Sequence, residues 1–281
     1  MASRGTQIGI DIDGTFTDVI AIGEDGAIIF KVPSQRAHPS DAVVAALEKL
    51  SREWNIRGED ICRFAHGTTV ATNAVIERKG ARVGLITTEG FRDILELGRQ
   101  IRRQLYDLHL RPETPAWLAP RARRVEVRER IAADGTVLVP LDEASLESAI
   151  ATLKQQDVEA VAVSLLFSFV NPTHELQIAE RLKKAMPGVP VSLSCEVDPA
   201  FREYERTVVT AFDAYIKAVV DRYLSDMEKH LAAARVGAPL QVMQSRGGLA
   251  AASVVRLFLS GPAAGALGGA AVGAEALGTE T

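Results

Sequence analysis

Cysteine is scarce in this chain, and long hydrophobic runs are absent. The 281 residues contain two cysteines, Cys62 and Cys195. Their wide separation gives neither a metal-binding spacing nor a disulfide framework, and we expect two buried free thiols. No apolar run reaches the ~18 residues of a membrane-spanning helix, and the first residues, MASRGTQ, lack the apolar core of a signal peptide. The sequence therefore predicts a cytoplasmic protein without a membrane partner.

A basic excess is also absent. Lysine and arginine number 32 against 36 acidic residues, for a net charge of -4. No face-sized positive charge is available to neutralise phosphates, so we expect no nucleic-acid partner. The locally basic stretch Arg121–Arg130 is interleaved with Glu126 and Glu129, and we interpret it as the solvated face of a strand. The length suggests one large domain or two smaller ones.

The most informative stretch is Gln7–Val19, QIGIDIDGTFTDV. Its pattern predicts a strand, a tight turn and a second strand, with polar groups at the tip. Those groups are Asp11, Asp13, Thr15, Thr17 and Asp18. Hydroxyls and exposed amides beside Gly14 can cradle phosphate, and a strand-end carboxylate can hold hydrated Mg²⁺. An ordinary Asp-Gly hairpin is the simpler alternative.

The rest of the pattern predicts an α/β fold. A third strand at Ala27–Val32 completes an antiparallel meander, after which helices and strands alternate as in a mixed sheet flanked by helices. The later predicted strands are Ile61–Ala65, Ala81–Thr87, Arg123–Arg130, Val137–Pro140, Ala160–Phe167, Val189–Leu193 and Leu240–Met243. The predicted helices begin at a Ser40 cap or cover Thr69–Arg78, Phe91–Leu97, Leu141–Gln155, 171–185 and Phe201–Arg235.

Two further segments have the composition of binding loops. His66-Gly67-Thr68-Thr69 is predicted at a strand-to-helix turn, where helix amides favour anions, and Asn73 lies one turn further on. His66 is the most readily placed general acid or base. A threonine cap with a turn glycine is the alternative here. Near the end, the small residues of LFLSGPAAG would let a flat ring or a sugar lie on the backbone, or would allow tight helix packing.

The hairpin alone is compatible with two chemistries. Asp-x-Asp-Gly-Thr after an apolar strand resembles the first motif of haloacid-dehalogenase-type phosphatases, in which Asp11 would be the nucleophile and Asp13 the general acid or base. That fold also requires a late acidic pair beside a strand end, and no Asp-Asp or Gly-Asp motif follows a later apolar strand. The predicted meander also occupies the place where that family has a helix.

The hairpin also resembles the phosphate loop of the actin, sugar-kinase and heat-shock-chaperone superfamily. Within it, the ordered segments IGIDIDGTFTD, FAHGTTVATNAVIERKG, LLFSFVNPTHE, FREYERT, VMQSRGGL and LSGPAAG resemble the N-terminal portion of the hydantoinase A/5-oxoprolinase family. This resemblance covers nearly the whole chain. It implies a ribonuclease H-like, actin-type ATPase lobe, with an N-terminal family domain at 1–195 and the start of the core domain at 196–281.

The resemblance also implies functional roles. ATP and Mg²⁺ are the expected cofactors, with Asp11 near the metal, possibly through water, and Asp11 and His66 as the catalytic residues. The expected nucleotide-binding residues are Gly14, Thr15, Thr17, Gly67, Thr68, Thr69, Asn73, Gly247, Gly248, Gly261, Pro262, Ala263 and Ala264. Family members couple ATP hydrolysis to opening a hydantoin or 5-oxoproline ring, many with a hydantoinase B-type partner, and related subunits carboxylate ketones.

The chain departs from the family pattern in three places. Asp13 stands where the first loop usually has glycine, and a second carboxylate beside a triphosphate is unfavourable unless it is paired. The segment between Gly248 and Ser260 is shorter than in relatives. No second Asp-Gly-Gly-Thr loop follows LSGPAAG, so we expect a truncated second lobe. A fragment, a split subunit, a degenerate product and a catalytically incompetent binding or assembly module are all compatible with this pattern.

Overall fold

A computed structural model describes residues 5–24, 26–35, 39–101, 106, 114–115, 117–243 and 248–251. The chain forms two compact units, the first from residues up to Lys79 and from Val219 onward, the second from Gly80–Ala218. The strands are β1 (Thr6–Ile12), β2 (Phe16–Gly23), β3 (Gly26–Pro33), β4 (Ile61–Thr68), β5 (Val83–Thr88), β6 (Arg124–Val127), β7 (Arg130–Ile131), β8 (Val137–Val139), β9 (Ala160–Ser164), β10 (Val191–Leu193), β11 (Leu240–Met243) and β12 (Leu249–Ala251). The helices are α1 (Asp41–Trp54), α2 (Val70–Ile76), α3 (Ile94–Leu97), α4 (Glu143–Gln155), α5 (Thr173–Ala185), α6 (Ser194–Val197) and α7 (Glu203–Ala233).

The first unit is built on a six-stranded mixed sheet in the order β12-β11-β4-β1-β2-β3. β1, β2 and β3 form the predicted antiparallel meander, while β4 lies parallel to β1 and β11 parallel to β4. Because side chains alternate along a strand, Ile8, Ile10 and Ile12 are buried on one face and Gly9 and Asp11 lie on the other. The predicted mixed α/β architecture is confirmed.

α1 begins where the sequence predicted it. Ser40 occupies the N-cap position, but its side chain makes no capping hydrogen bond. The helix is held instead by its apolar stripe, in which Val43, Leu47 and Leu50 are buried. Asn55 ends the helix in the left-handed conformation, with φ 55°.

The second unit contains a four-stranded parallel sheet in the order β10-β9-β5-β6. All of the side chains of β5 and β9 are buried, which explains why both segments read as continuous apolar runs. α4 and α5 contribute Leu146, Ile150, Leu153, Ile178 and Leu182 to the same core. A separate hairpin, β7–β8, turns at Gly135, which has φ 87°.

The single strand predicted at Arg123–Arg130 is wrong in extent and in exposure. The segment contains two strands that belong to different sheets, β6 and β7. Arg124 and Glu129 are buried, because Arg124 Nε donates to Ala119 O at 2.6 Å and Glu129 Oε2 lies 2.7 Å from His174 Nδ1. Charged side chains can be buried where such partners exist, so only part of this stretch, including Arg121 and Arg128, is solvated.

The cysteine prediction is half right. Cys62 and Cys195 are free, but each is only partly buried. Burial and the neighbouring Glu175 carboxylate raise the pKa of the Cys195 thiol, which keeps it protonated at neutral pH. None of the described helices is long and apolar enough to cross a membrane.

Candidate functional site

The predicted loops meet in the first unit, at the carboxyl ends of β1 and β4. A cavity of about 800 Å³, here called the loop cavity, lies there. It is lined by Ile12, Asp13, Gly14, Ser34, Gln35, Pro39, Ser40, Thr69, Val70, Asn73, Ala74, Glu77, Lys79, Val219, Arg222, Tyr223 and Asp226. A smaller cleft of about 360 Å³, the sheet-face cleft, is lined by residues that include Asp11, Asp18, His66 and Gly67.

Of the residues predicted to bind nucleotide at the turn between β1 and β2, Gly14 lines the loop cavity and Thr17 is buried. Gly14 lines the loop cavity, and no atom lies within 4 Å of where a side chain would begin. Thr15 O accepts from Ser34 N at 3.0 Å, which ties the turn to the end of β3. Thr17 is fully buried, and its hydroxyl hydrogen-bonds to Ser34 Oγ at 2.7 Å. The Thr17 side chain therefore holds the turn together and is not presented to a ligand.

Asp11 carries an unsatisfied carboxylate oxygen. Its Oδ1 is buried and has no hydrogen-bond partner among the described residues. Burial, followed by the nearby carboxylates of Asp13 and Asp18, raises the pKa of Asp11. Gly67 is the residue opposite on β4, and a Cβ there would lie 2.8 Å from Asp11 Oδ1. A half-exposed carboxylate that has one buried oxygen without a partner, and two further carboxylates nearby, is a suitable place for a cation.

The surroundings of Asp11 fit a partly hydrated Mg²⁺ better than a closed metal cage. Across the described part of the chain, no group of three or more acidic, histidine or cysteine side chains could hold a metal. Magnesium usually keeps several waters and binds one or two carboxylates together with substrate phosphates. Asp11 supplies one such carboxylate. Asp18 pairs with it across β1 and β2 but forms an ion pair with Lys31 at 2.8 Å.

His66 does not lie at a loop, because β4 continues to Thr68. It is 1% exposed, and burial lowers its pKa to about 4, so the ring is neutral at pH 7. Its Nδ1 donates to Ile10 O at 3.2 Å, which leaves Nε2 to accept from the Tyr223 hydroxyl at 2.6 Å. Both ring nitrogens are thus used within the protein. This geometry favours a positioning role over a general acid–base role.

A directional hydrogen-bond chain continues from Tyr223. Thr68 hydrogen-bonds to the same hydroxyl and accepts from Val70 N at 3.2 Å. Because the tyrosine proton goes to His66, the Thr68 hydroxyl is the donor in that bond. The chain therefore runs from the start of α2 to the β1 carbonyl that precedes Asp11. It holds the β4–α2 turn against β1.

The remaining predicted residues divide into two groups. Thr69 and Asn73 line the loop cavity, and Asn73 Nδ2 donates to Thr69 Oγ1 at 3.2 Å. Gly248, with φ 85°, precedes Leu249 in the sheet-face cleft. The predicted residues Gly247, Gly261, Pro262, Ala263 and Ala264 lie outside the described residues.

Sequence reasoning missed the contribution of α7. Tyr223 and Arg222 line the loop cavity, although the sequence predicted only a helix at Phe201–Arg235 and no site residue on it. A tyrosine that is 7% exposed is a core residue and can still present its hydroxyl to a polar neighbour. No local signal could have paired Tyr223 with His66, because 157 positions separate them.

Family comparisons place this geometry in a known context. Residues 7–186 match the model of the hydantoinase/oxoprolinase N-terminal region, and residues 206–280 match that of hydantoinase/oxoprolinase. The chain belongs to the hydantoinase/oxoprolinase family. The resemblance drawn from the hairpin, HGTT and SGPAAG segments is thereby confirmed.

Two members of the hydantoinase/oxoprolinase family are similar along almost the whole chain. Caprolactamase subunit alpha of Pseudomonas jessenii is 37% identical over 268 residues, which cover 91% of this chain and 38% of that protein. 5-Oxoprolinase 1 of Arabidopsis thaliana is 31% identical over an alignment of 293 positions, gaps included. The alignment covers 92% of this chain and 23% of that protein. The chain therefore spans less than half the length of these relatives.

Solved structures give the same relationship. The ATP-dependent caprolactamase from Pseudomonas jessenii matches with a TM-score of 0.85 and 33% identity, covering 98% of this chain and 41% of that chain. A nucleotide-free acetone carboxylase structure matches with a TM-score of 0.87 and 28% identity over the same shares of the two chains. The fold of this family member is thus shared with enzymes described as ATP-dependent.

Proposed function

We propose that this chain is the nucleotide-binding part of an enzyme that uses ATP to open a cyclic amide ring. The observation that carries the proposal is Asp11 Oδ1, a buried carboxylate oxygen beside the β1–β2 turn that has no hydrogen-bond partner among the described residues, in a family whose relatives include a caprolactamase and 5-oxoprolinases. Buried polar atoms without a hydrogen-bond partner are few in folded proteins, and a site that receives a ligand is one explanation for them. ATP, Mg²⁺ and the cyclic amide are the ligands of this proposal.

The finer fold assignment is part of the same proposal. We assign the first unit to the ribonuclease H-like, actin-type ATPase lobes. Support comes from its sheet, in which an antiparallel meander is followed by parallel strands β4 and β11. The domain boundary at 195/196 also stays a prediction, since the family matches at 7–186 and 206–280 and the compact units divide the chain differently.

The described residues have distinct roles in this proposal. Asp11 holds Mg²⁺ directly or through water, and the backbone around Gly14 and Thr15 receives the phosphates. Bound there, Mg²⁺ would neutralise charge on the phosphoryl group. Thr17 fixes the turn through Ser34, and His66 positions β1 through Ile10. The assignment of His66 as a general acid or base gains no support from its buried, neutral ring.

Phosphorylation explains why ATP is needed. An amide carbonyl is a poor electrophile, and transfer of the γ-phosphoryl group to its oxygen makes the carbon easier for water to attack. Addition of water, loss of phosphate and cleavage of the C–N bond then give the open-chain amino acid, ADP and phosphate. The ring opening is thereby coupled to ATP consumption.

Ketone carboxylation is the second candidate. The gamma subunit of acetophenone carboxylase from Aromatoleum aromaticum is 33% identical over 285 residues. A ketone enolate could accept the phosphoryl group at its oxygen in the same way as an amide. Several relatives are named as subunits, which supports a hydantoinase B-type or similar partner for this chain. The phosphatase alternative is less well supported, because β2 follows the hairpin turn where the haloacid-dehalogenase fold has a helix.

The test is product formation from a panel of substrates. The chain, alone and with a purified hydantoinase B-type subunit, is incubated with Mg·ATP and hydantoin, 5-oxoproline, caprolactam or acetophenone with bicarbonate. We expect ADP and open-chain amino acid in equal amounts for at least one cyclic amide. ADP release that no cyclic amide alters, in either arrangement, would contradict the proposal. It would favour a binding or assembly module, or a carboxylase if only the ketone responds.

A further inference from the structure

We propose that the loop cavity of the first unit holds the cyclic amide itself, and that the Asn73 carboxamide pairs with the amide group of the ring. This inference rests on the proposed function, and it moves Asn73 from the nucleotide to the second substrate. The cavity contains the features that a small neutral ring requires. Apolar walls contact its methylene groups, and a neutral donor–acceptor pair meets its amide.

The positive charges around the loop cavity have acidic neighbours, and Asp13 adds a further negative charge. Lys79 Nζ lies 2.6 Å from Glu77 Oε2. Asp226 pairs with Lys229 Nζ at 2.9 Å and also faces the charge of Arg222 on the same helix. Opposite charges that neutralise each other leave no concentrated positive potential for a polyanion. The part of the cavity formed by α2 and α7 therefore fits a neutral ligand better than a triphosphate.

The walls between these charges are apolar. Ile12, Val70, Ala74 and Val219 all line the loop cavity. Burying methylene groups against such surfaces is favourable, because it removes apolar area from water. A lactam ring offers several methylene groups and a single polar edge. The uncharged hydrogen-bonding side chains beside these walls belong to Ser34, Gln35, Ser40, Thr69 and Asn73.

Asn73 is the group best placed to recognise an amide. Its Nδ2 donates to Thr69 Oγ1 at 3.2 Å, and Thr69 Oγ1 donates to Ile12 O at 3.5 Å. The Asn73 side chain is thus oriented from β1, with one N–H used. Its Oδ1 and second N–H form no other hydrogen bond with the described residues. The Asn73 side chain is exposed, so its carboxamide has one acceptor and one donor available to a ligand in the cavity.

The ring geometry supplies the selectivity. Small lactam rings force the amide to be cis, so its N–H and C=O lie on one edge and can pair with both groups of a carboxamide. An open-chain secondary amide is almost entirely trans, so its N–H and C=O point in opposite directions. Asp13 and Gly14 line the same cavity. A ring paired with Asn73 would therefore share a cavity with the turn proposed to receive the phosphates.

The experiment measures two ligands on the same proteins. Ligand-observed NMR measures the binding of 2-pyrrolidinone to each protein, with N-methylacetamide as the trans amide for comparison. Calorimetric titration measures the binding of Mg·ATP. The variants are Asn73→Ala and Asn73→Asp, with Gln155→Ala as the control because Gln155 is an exposed amide on α4, in the second unit. Circular dichroism checks that all variants are folded.

We expect the wild type and the control to bind 2-pyrrolidinone equally. Both Asn73 variants should bind it about tenfold more weakly, as loss of one to two hydrogen bonds implies. Mg·ATP affinity should change less than twofold, and N-methylacetamide should bind the wild type more weakly than 2-pyrrolidinone does. If 2-pyrrolidinone binds as expected but Mg·ATP does not bind at all, the proposed function fails and the cavity assignment stands.

Three results would overturn the inference. The first is no saturable binding of 2-pyrrolidinone to the wild type. The second is binding that neither Asn73 variant weakens. The third is loss of Mg·ATP binding in the Asn73 variants with 2-pyrrolidinone unchanged, which would return Asn73 to the nucleotide site while leaving the proposed function intact.

Discussion

At the scale of single residues, Gly67 provides the space that the Asp11 carboxylate occupies. A Cβ at position 67 would lie 2.8 Å from Asp11 Oδ1 and 3.3 Å from Asp11 Cγ, distances that require the carboxylate to move. The backbone of Gly67 does not adopt the left-handed conformation, so its φ does not require a glycine. The glycine in HGTT is therefore required for space and not for a turn.

The Gly67→Ala variant should bind Mg·ATP at least tenfold more weakly, because the displaced carboxylate no longer reaches the metal position. Calorimetric titration measures this change. Gly237→Ala is the matched control, since no atom lies within 4 Å of the added Cβ and the residue has no positive φ. Equal affinity in Gly67→Ala and wild type would show that the Asp11 position does not matter for nucleotide binding.

His66 should make stability depend on pH. Its pKa is lowered to about 4 in the folded protein, against 6.5 in the unfolded chain. The unfolded chain therefore binds the proton more readily, and stability is lost as pH falls from 6.5 towards 4. The full difference corresponds to about 3 kcal/mol.

Urea unfolding of wild type and His66→Gln between pH 7 and pH 4 measures this contribution. The wild type should lose about 3 kcal/mol more than the variant over that range, because glutamine does not titrate. Parallel pH curves for the two proteins would mean that His66 titrates normally. That result would contradict its burial between Ile10 and Tyr223.

At the scale of elements, the sequence predicted what periodicity and turn residues determine locally. The β1–β3 meander, the start of α1 and the buried strands β5 and β9 have short-range signals in the Asp-Gly turn and in continuous apolar runs. The end of β4 has no such signal. It continues to Thr68 because Thr68 pairs with Ile12 of β1, so His66 lies within the sheet.

The site was predicted in the same uneven way. Asp11, Gly14, Gly67, Thr69 and Asn73 follow from motifs, and the structure places them in two clefts of the first unit. The burial of Thr17 and the role of Tyr223 depend on partners far along the chain, Ser34 and His66. Local pattern carries no information about such partners.

α7 is anchored in the second unit by Arg206, which belongs to the FREYERT segment. The side chain is 1% exposed and donates to Leu165 O and Ala200 O, each at 2.8 Å, and to Ser194 Oγ at 3.1 Å. Burial lowers the pKa of its guanidinium. Arg206 thus connects the first turn of α7 with β9 and α6.

Replacing Arg206 with alanine should destabilise the protein by about 3 kcal/mol, because buried carbonyls and a hydroxyl lose their donor. Arg206→Lys should recover little, since one ammonium group cannot reproduce the fork of donors. Urea unfolding monitored in the second unit measures both. Arg181→Ala is the control, an exposed ion-pair partner of Glu147 that should cost at most about 1 kcal/mol. Similar losses for Arg206→Ala and Arg181→Ala would contradict the anchor.

At the scale of the whole molecule, the two compact units contain different parts of the account. The first unit contains every described residue predicted to bind the nucleotide, and the second contains a separate parallel sheet and core. The chain spans 38% of the caprolactamase subunit and 41% of the caprolactamase structure. The complete reaction therefore stays a proposal, whereas nucleotide binding by the first unit can be tested on this chain.

The central claim is that Asp11 and the β1–β2 turn bind Mg·ATP. Its most direct test is calorimetric titration of the 281-residue chain and of Asp11→Asn with Mg·ATP. The variant removes a carboxylate whose pKa is raised in the fold, so it should be at least as stable at pH 7, and lost binding cannot be attributed to unfolding. We predict saturable binding to the wild type that is weakened at least tenfold in Asp11→Asn. No binding to the wild type, or equal binding to both proteins, would contradict the account.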